Sequence, residues 1–279
     1  MRIGHYQCFC QSGDFEANLA TVRNGLEMAA ERGLDIVSFP ECFLAGYWAD
    51  EDEARKQAWP LDSPQTEHVL NTTAEYPSMF MVGFNELRGE DLYNTVLLAE
   101  GGKLIGHYSK AFPVIHYFKP GGEAPVFEKD GVKFGIIICA DGGYIEPTRL
   151  MAMKGARIIF APHYNYIGAQ SLIDHYIHVR SDHIARAIEN QVFFVRGNNV
   201  ERGVQPSLGR EGIGYGDSYI LDPNGQIVAA ANLHAETMIW ADIDLDRVYY
   251  ARLRNKNLKS LRAFLDQTIE LVEAARDEQ

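Results

Sequence analysis

Three reactive side chains stand at the ends of three apolar runs. Glu41 closes "IVSFPE", Lys110 closes "LIGHYSK", and Cys139 follows "KFGIII". A carboxylate, an ammonium and a thiol together supply a general base, an oxyanion stabiliser and a nucleophile, the set that acyl transfer needs. The β-branched run before Cys139 reads as a buried strand that would present the thiol rigidly. Gly142 and Gly143 follow almost at once, leaving room for a substrate and for a sharp turn. A helix expected from near Pro147 would aim its backbone N–H groups back at the thiol, favouring its anion and an oxyanion site. Each feature alone also has a plainer reading. Most free cysteines are small buried hydrophobes, and an acid or a lysine at a strand end is usually just solvated. Pro40 beside Glu41 and the aromatic "GYW" at 46–48 set that loop apart from an ordinary surface turn.

The elements that must hold these groups alternate along the chain. "IGHYQCFC" reads as a strand. A helix follows, with Leu19, Val22, Leu26, Ala29 and Ala30 at helical spacing, Asp14 as N-cap and Gly33 as its stop. "SMFMVGFNE", "GVKFGIIIC", "RIIFAPH", "VFFVRGNNV" and "TMIWADIDL" read as further strands. Glu100-Gly101-Gly102 and Asn224-Gly225 mark hairpins. "EPTRLMAMKGA" and "LIDHYIHVRSDHIARAIENQ" read as helices, and roughly 48–65 as loop plus a helix start. No linker, repeat or low-complexity tract interrupts the pattern. The expectation is one α/β domain over 1–255 with a C-terminal helical tail over 256–279, its mixed sheet covered by helices on the outer face.

Composition narrows the partners. The 279 residues are 46% hydrophobic and 23% charged, with a net charge of −12. An acidic surface without a Lys/Arg cluster repels phosphate backbones, which argues against nucleic acid. Cys8, Cys10, Cys42 and Cys139 match neither a disulfide framework nor zinc-ligand spacing, so reduced thiols and a cytoplasmic location are expected. The N-terminus has no apolar signal segment, and no apolar run has bilayer-spanning length. His175, His178 and His183 do not share one helix face and have no HExxH or acid cluster beside them, so no metal is expected. "GIGYGD" at 212–217 imitates a dinucleotide fingerprint but precedes a strand, and it is set aside. Arg180 and Arg186 with Glu189 read as surface or interface ion pairs.

Eight stretches, in order, resemble the nitrilase superfamily of carbon–nitrogen hydrolases over about residues 1–250. They are the Gln7…Asn18 opening, "FPECFLAGY", "YSK", "YFKPGG", "GIIICAD…EP", "GARIIFAPH", "ARAIENQVFFVRGN" and "DSYILDPNGQIV". The resemblance implies a four-layer α-β-β-α sandwich that forms a homodimer, or a higher homo-oligomer, through its helical faces. It implies a catalytic triad of Glu41, Lys110 and Cys139, with the Ala140 backbone N–H in the oxyanion site and no metal or organic cofactor. The expected activity is hydrolysis of a small amide or N-carbamoyl compound through a thioester. A nitrilase and an acyl or carbamoyl transferase stand as alternatives within that chemistry, and a catalytically silent scaffold stands outside it.

Two departures mark the site. Many relatives carry a second glutamate shortly before the "YFxPG" element. Here the segment is "KAFPVIHYFKPGG", where His116 is the nearest polar residue and Glu123 follows. Relatives often have an arginine or another bulky residue four after the cysteine, where this chain has Gly143. Ala140-Asp141 after the cysteine, in place of Trp-Glu, favours an amide or carbamoyl substrate over a nitrile. Tyr47, Trp48, His116, His163, Tyr164 and Asn165 are the expected substrate contacts, with packing of the core or dimer as the plainer role for several of the rings.

Overall fold

A computed structural model describes residues 1–205, 207–246 and 258–277. The order is β1 (Arg2–Gln7), α1 (Phe15–Glu31), β2 (Ile36–Ser38), α2 (Glu51–Lys56), β3 (Ala58–Trp59), α3 (Pro64–Thr73), β4 (Met79–Arg88), β5 (Asp91–Glu100) and β6 (Lys103–Ser109). There follow β7 (Val126–Lys129), β8 (Val132–Ile136), α4 (Ile145–Met153), β9 (Ile158–Pro162), α5 (Leu172–Asn190), β10 (Phe193–Gly197), β11 (Val200–Gln205) and β12 (Arg210–Tyr215). The last elements are β13 (Tyr219–Leu221), β14 (Ile227–Ala230), β15 (Thr237–Asp242) and α6 (Leu258–Asp277). The boundary expected at 255/256 lies outside the described residues.

The strands form two large sheets. One runs β15-β1-β2-β4-β5-β6 with β3 added beside β4, and the other runs β14-β13-β10-β9-β8-β7. In each, three central strands are parallel and the flanking strands antiparallel, except that β3 pairs parallel with β4. Alternation decides which faces meet. Ile3, Ile36, Met81, Val96 and Leu98 from the first sheet share one buried cluster with Phe134, Ile136, Ile158, Phe160 and Val195 from the second. Each such side chain contributes about 1.5–3 kcal/mol on leaving water. The opposite face of the first sheet presents Val37, Phe80, Val82 and Leu97 to Leu19, Val22, Leu26 and Ala29 of α1. Helices α4 and α5 cover the second sheet, completing the expected four-layer α-β-β-α sandwich. Because the central strands are buried on both faces they read as continuous apolar runs, as in β9 "IIFAP".

Local signals account for the boundaries. The Asp14 side chain accepts from the Ala17 N–H, and Gly33, just past the end of α1, has φ +62°. Gly101 and Gly102 both have positive φ in the two-residue loop joining Glu100 to Lys103, the geometry that a tight hairpin requires. Residues 48–65 hold more structure than expected, namely α2, β3 and the start of α3. "GIGYGD" runs into β12 and its exit, with no strand-turn-helix unit.

Candidate active site

The parallel strands of both sheets deliver their C-terminal ends to one region. The chain leaves β2 through Phe39 and Pro40 into a tight turn that carries Glu41, with Cys42 at φ +49°. That turn lies directly on β4. A Cβ on Gly83 would come within 2.3 Å of the Cys42 nitrogen, so only glycine lets the strand pass beneath Glu41. Lys110 follows β6 immediately, and its backbone is pinned on both sides by Lys110 N–H to Asn94 O (2.9 Å) and Gly121 N–H to Lys110 O (2.8 Å). Gly121 is the first glycine of "YFKPGG". A Cβ there would stand 2.2 Å from the Ser109 carbonyl oxygen, which gives that motif a packing role behind the lysine.

Cys139 begins a 3-10 turn (Cys139–Gly143) three residues past β8 and has φ +47°. A left-handed backbone at a non-glycine residue costs about 1–3 kcal/mol and persists where surrounding structure enforces it. Two buried groups enforce it here. The Asp141 carboxylate accepts from Ile138 N–H (2.9 Å), Phe112 N–H (2.8 Å) and Tyr108 O–H (2.8 Å), binding the turn to the segment after Lys110. From α5, Arg186 donates to the carbonyls of Gly142, Gly143 and Tyr144 at 3.2 Å each. The Arg186–Glu189 pair exists (2.7 Å), but Arg186 is 6% exposed and clamps the turn, which corrects its reading as a surface or interface residue. Arg180 pairs instead with Asp217 (2.5 Å). Gly142 also differs from expectation. A Cβ there would meet His183 Nε2 at 2.8 Å, so it makes room for α5, and of the two glycines only Gly143 faces the cavity. Helix α4 starts six residues beyond Cys139, so the backbone groups beside the thiol are those of the 3-10 turn.

The three reactive groups converge. Glu41 Oε1 accepts from Lys110 Nζ (2.6 Å) and from Asn94 Nδ2 (2.6 Å), and Oε2 accepts from the Tyr164 N–H (2.8 Å). Glu41 and Lys110 are out of contact with solvent. Burial works to lower the Lys110 pKa, but the Glu41 carboxylate and the other ionisable groups around it raise it well above its ordinary value. Burial, then the Glu41 charge, pushes the Cys139 thiol up to about 12, while Lys110 and Arg196 pull the other way. The thiol is therefore protonated at neutral pH, and its attack needs a base to take the proton as the bond forms.

Cys139 lines a cavity of about 400 Å³ together with Tyr47, Ala140, His163, Tyr164 and Asn165. The rings of Tyr47 and Tyr164 stack at 5.3 Å, and the Tyr164 hydroxyl donates to Glu201. Asn165 Nδ2 points at Cys139 Sγ (3.5 Å) because its Oδ1 accepts from Arg196 Nη2 (2.7 Å). His163 Nδ1 contacts the Ala161 carbonyl (2.7 Å), which makes Nδ1 the protonated nitrogen and Nε2 the acceptor. Burial, then Arg196, holds both His163 and His183 neutral. His175 Nδ1 contacts the Tyr215 hydroxyl (3.0 Å). Among the described residues, no three His, Cys, Asp or Glu side chains group as metal ligands.

Two expected contacts lie elsewhere. Trp48 turns away from the cavity, packing against the Ala54–Leu92–Tyr117–Phe118 cluster, because its indole N–H finds the Ala45 carbonyl (3.0 Å) three residues back. His116 is exposed, its ring edge-on to Tyr117, and Glu123 is exposed as well, so neither stands where a second carboxylate was sought. The same segment gives Val114 and Ile115 to the cavity instead. Sequence reasoning did not single out Asn94 or Arg196, nor the roles of Asp141 and Arg186 in holding the turn. Both arginines sit inside "ARAIENQVFFVRGN", and that repeated Arg/Asn content within a buried stretch was the available signal.

Comparison with known proteins follows the same line. Residues 2–253 match the family described as Carbon-nitrogen hydrolase. The Thermotoga maritima glutamine-dependent NAD(+) synthetase is 28% identical over 249 residues, covering 84% of this chain but only 40% of that protein's length. The N-carbamoylputrescine amidase of Solanum tuberosum is 29% identical over 260 residues, 86% of this chain and 85% of that protein. Among solved structures, Saccharomyces cerevisiae Nit3, described as a member of branch 10 of the nitrilase superfamily, superposes with a TM-score of 0.75 at 26% identity, covering 88% of this chain and 90% of that one.

Proposed function

The chain belongs to the carbon-nitrogen hydrolase family, and from that premise we propose that it hydrolyses a small amide or N-carbamoyl compound with Glu41, Lys110 and Cys139 as its catalytic triad. One observation carries the reading. A carboxylate, fixed through both oxygens by Lys110, Asn94 and Tyr164, stands beside a protonated thiol at the wall of a cavity.

With a primary amide in the cavity, Cys139 Sγ attacks the carbonyl carbon and Glu41 accepts the thiol proton. Charge moves to the carbonyl oxygen, where the Lys110 ammonium and the Ala140 backbone N–H receive it. The proton passes to the leaving nitrogen, the C–N bond breaks, and ammonia departs from a thioester. Water then adds to the thioester while Glu41 takes its proton. The C–S bond breaks, the thiol regains its proton, and the acid leaves. Asn165, oriented by Arg196, is placed to hold the substrate close to the sulfur. This route uses no metal or organic cofactor.

The apolar residues exposed on and beside α4 and α5, among them Ile145, Leu150, Met153, Ile173 and Ile177, support pairing of two copies through these helices.

The test is ammonia release from a panel of small amides, N-carbamoyl amines and nitriles, with Cys139→Ser as control. Release by the native chain and not by the variant supports the reading, and a Cys139 thioester trapped by acid quench should appear in its mass spectrum. Equal release by both proteins would sink it.

A further inference from the structure

Resting on the amidase reading above, we infer that the site takes substrates whose end remote from the scissile bond is a cation, an ammonium or a guanidinium, and that Asp182 receives it. Much of the cavity wall is apolar, with Val114, Ile115, Ile167, Val179 and Leu208 among its lining residues. Such walls suit a hydrocarbon spacer. The lining histidines carry no charge at neutral pH. Burial lowers His175 to about 4, and it holds His163 and His183 well below their ordinary value. No lysine or arginine lines the cavity among the described residues, and Asp182 is its one charged lining residue.

Asp182 shares a helix face with His175 and Val179, the α5 face that lines the cavity. Its carboxylate makes no hydrogen bond or ion pair among the described residues, although it is partly withdrawn from water. The nearest cation along the helix, Arg186, is engaged with the carbonyls of 142–144 and with Glu189. Gly143 keeps the carboxylate open. A Cβ at that position would lie 3.7 Å from Asp182 Oδ2, so a longer side chain there would cover it. A partly buried carboxylate with no hydrogen-bond partner, beside Gly143 on a largely apolar wall and only loosely compensated by the charges of Arg186 and His178, recovers its lost solvation by taking a cationic ligand end, and it repels an anionic one.

The experiment compares primary amides of one chain length ending in ammonium, methyl or carboxylate. A second series measures alkylation of Cys139 by chloroacetamides carrying the same three ends, which reads the pocket's charge preference without turnover. The native protein should favour ammonium over methyl, and methyl over carboxylate, by factors on the order of 10–100 in kcat/KM and in alkylation rate. Asp182→Asn should collapse the ammonium-to-carboxylate ratio, Asp182→Lys should invert it, and Asp182→Glu should retain its sign. A native protein that does not prefer the ammonium end in either series overturns the inference, as does an Asp182→Asn protein that keeps the preference. Absence of turnover with the alkylation preference intact would strike the amidase reading and leave the cation preference standing.

Discussion

The Lys110 ammonium lies 2.6 Å from Glu41 Oε1, and neither side chain reaches water. Removing one partner strands the other charge in the interior. Lys110→Met should therefore lose about 3–5 kcal/mol of stability along with all activity. Glu41→Gln combined with Lys110→Met should regain part of that stability while remaining inactive. Denaturant unfolding of the two variants checks this, and a double variant no more stable than Lys110→Met would refute the pair's coupling.

Arg186 does not itself line the cavity, yet it grips three successive carbonyls of the turn that begins at Cys139. Loosening that grip displaces Cys139, the proposed nucleophile. Arg186→Gln should lower kcat by on the order of 100-fold with a smaller change in KM. A change confined to KM would mean that Arg186 acts on substrate binding.

The Cys139 thiol is raised to about 12, first by burial and then by Glu41. Ultraviolet titration of the native protein against Cys139→Ala should show no thiolate step from this residue at pH 9, the ordinary midpoint of a thiol. The consequence for stability has a definite sign. The unfolded chain releases this proton at a lower pH than the folded one, so the contribution is whole below pH 9 and is lost as pH rises toward 12. A thiolate signal at neutral pH would replace base-assisted attack with a resting ion pair.

His5 is fully buried between Ser38 and the Asn198 carbonyl, and burial lowers its pKa from 6.5 to about 3. Below pH 6.5 the unfolded chain binds a proton that the folded chain refuses. Stability should fall by about 1.4 kcal/mol per pH unit from this residue as the pH drops toward 3. Denaturation midpoints between pH 7 and pH 4 should therefore slope less steeply in His5→Gln. Parallel slopes would show that other groups carry the acid sensitivity.

If α4 and α5 meet a second copy, Ile145→Asp combined with Ile173→Asp should halve the mass measured by light scattering and leave the far-ultraviolet circular dichroism unchanged. A native protein that is already monomeric at micromolar concentration would remove the proposed pairing.

The sequence determined where most of the strands and helices lie, though not α2 and β3 within 48–65. Apolar runs place Glu41, Lys110 and Cys139 within three residues of the ends of β2, β6 and β8. Asp14 and Gly33 frame α1, and paired glycines mark the β5–β6 hairpin, because caps and positive-φ turns depend on neighbours a few positions away. Tertiary structure alone decided what surrounds the three reactive groups. Tyr164 lies 123 positions from Glu41 and Arg186 lies 44 from Gly142, and no spacing in the chain encodes those partners. Arg186, Arg196 and Asp182 carry polar side chains that in a helix or strand pattern look like solvent-facing residues, and only the packing of α5 and β10 turns them inward. Trp48 and His116 show the reverse case. Their types suit a substrate pocket, but the direction of each side chain was set by a nearby carbonyl or by open solvent, and both left the cavity to residues that the sequence had not singled out.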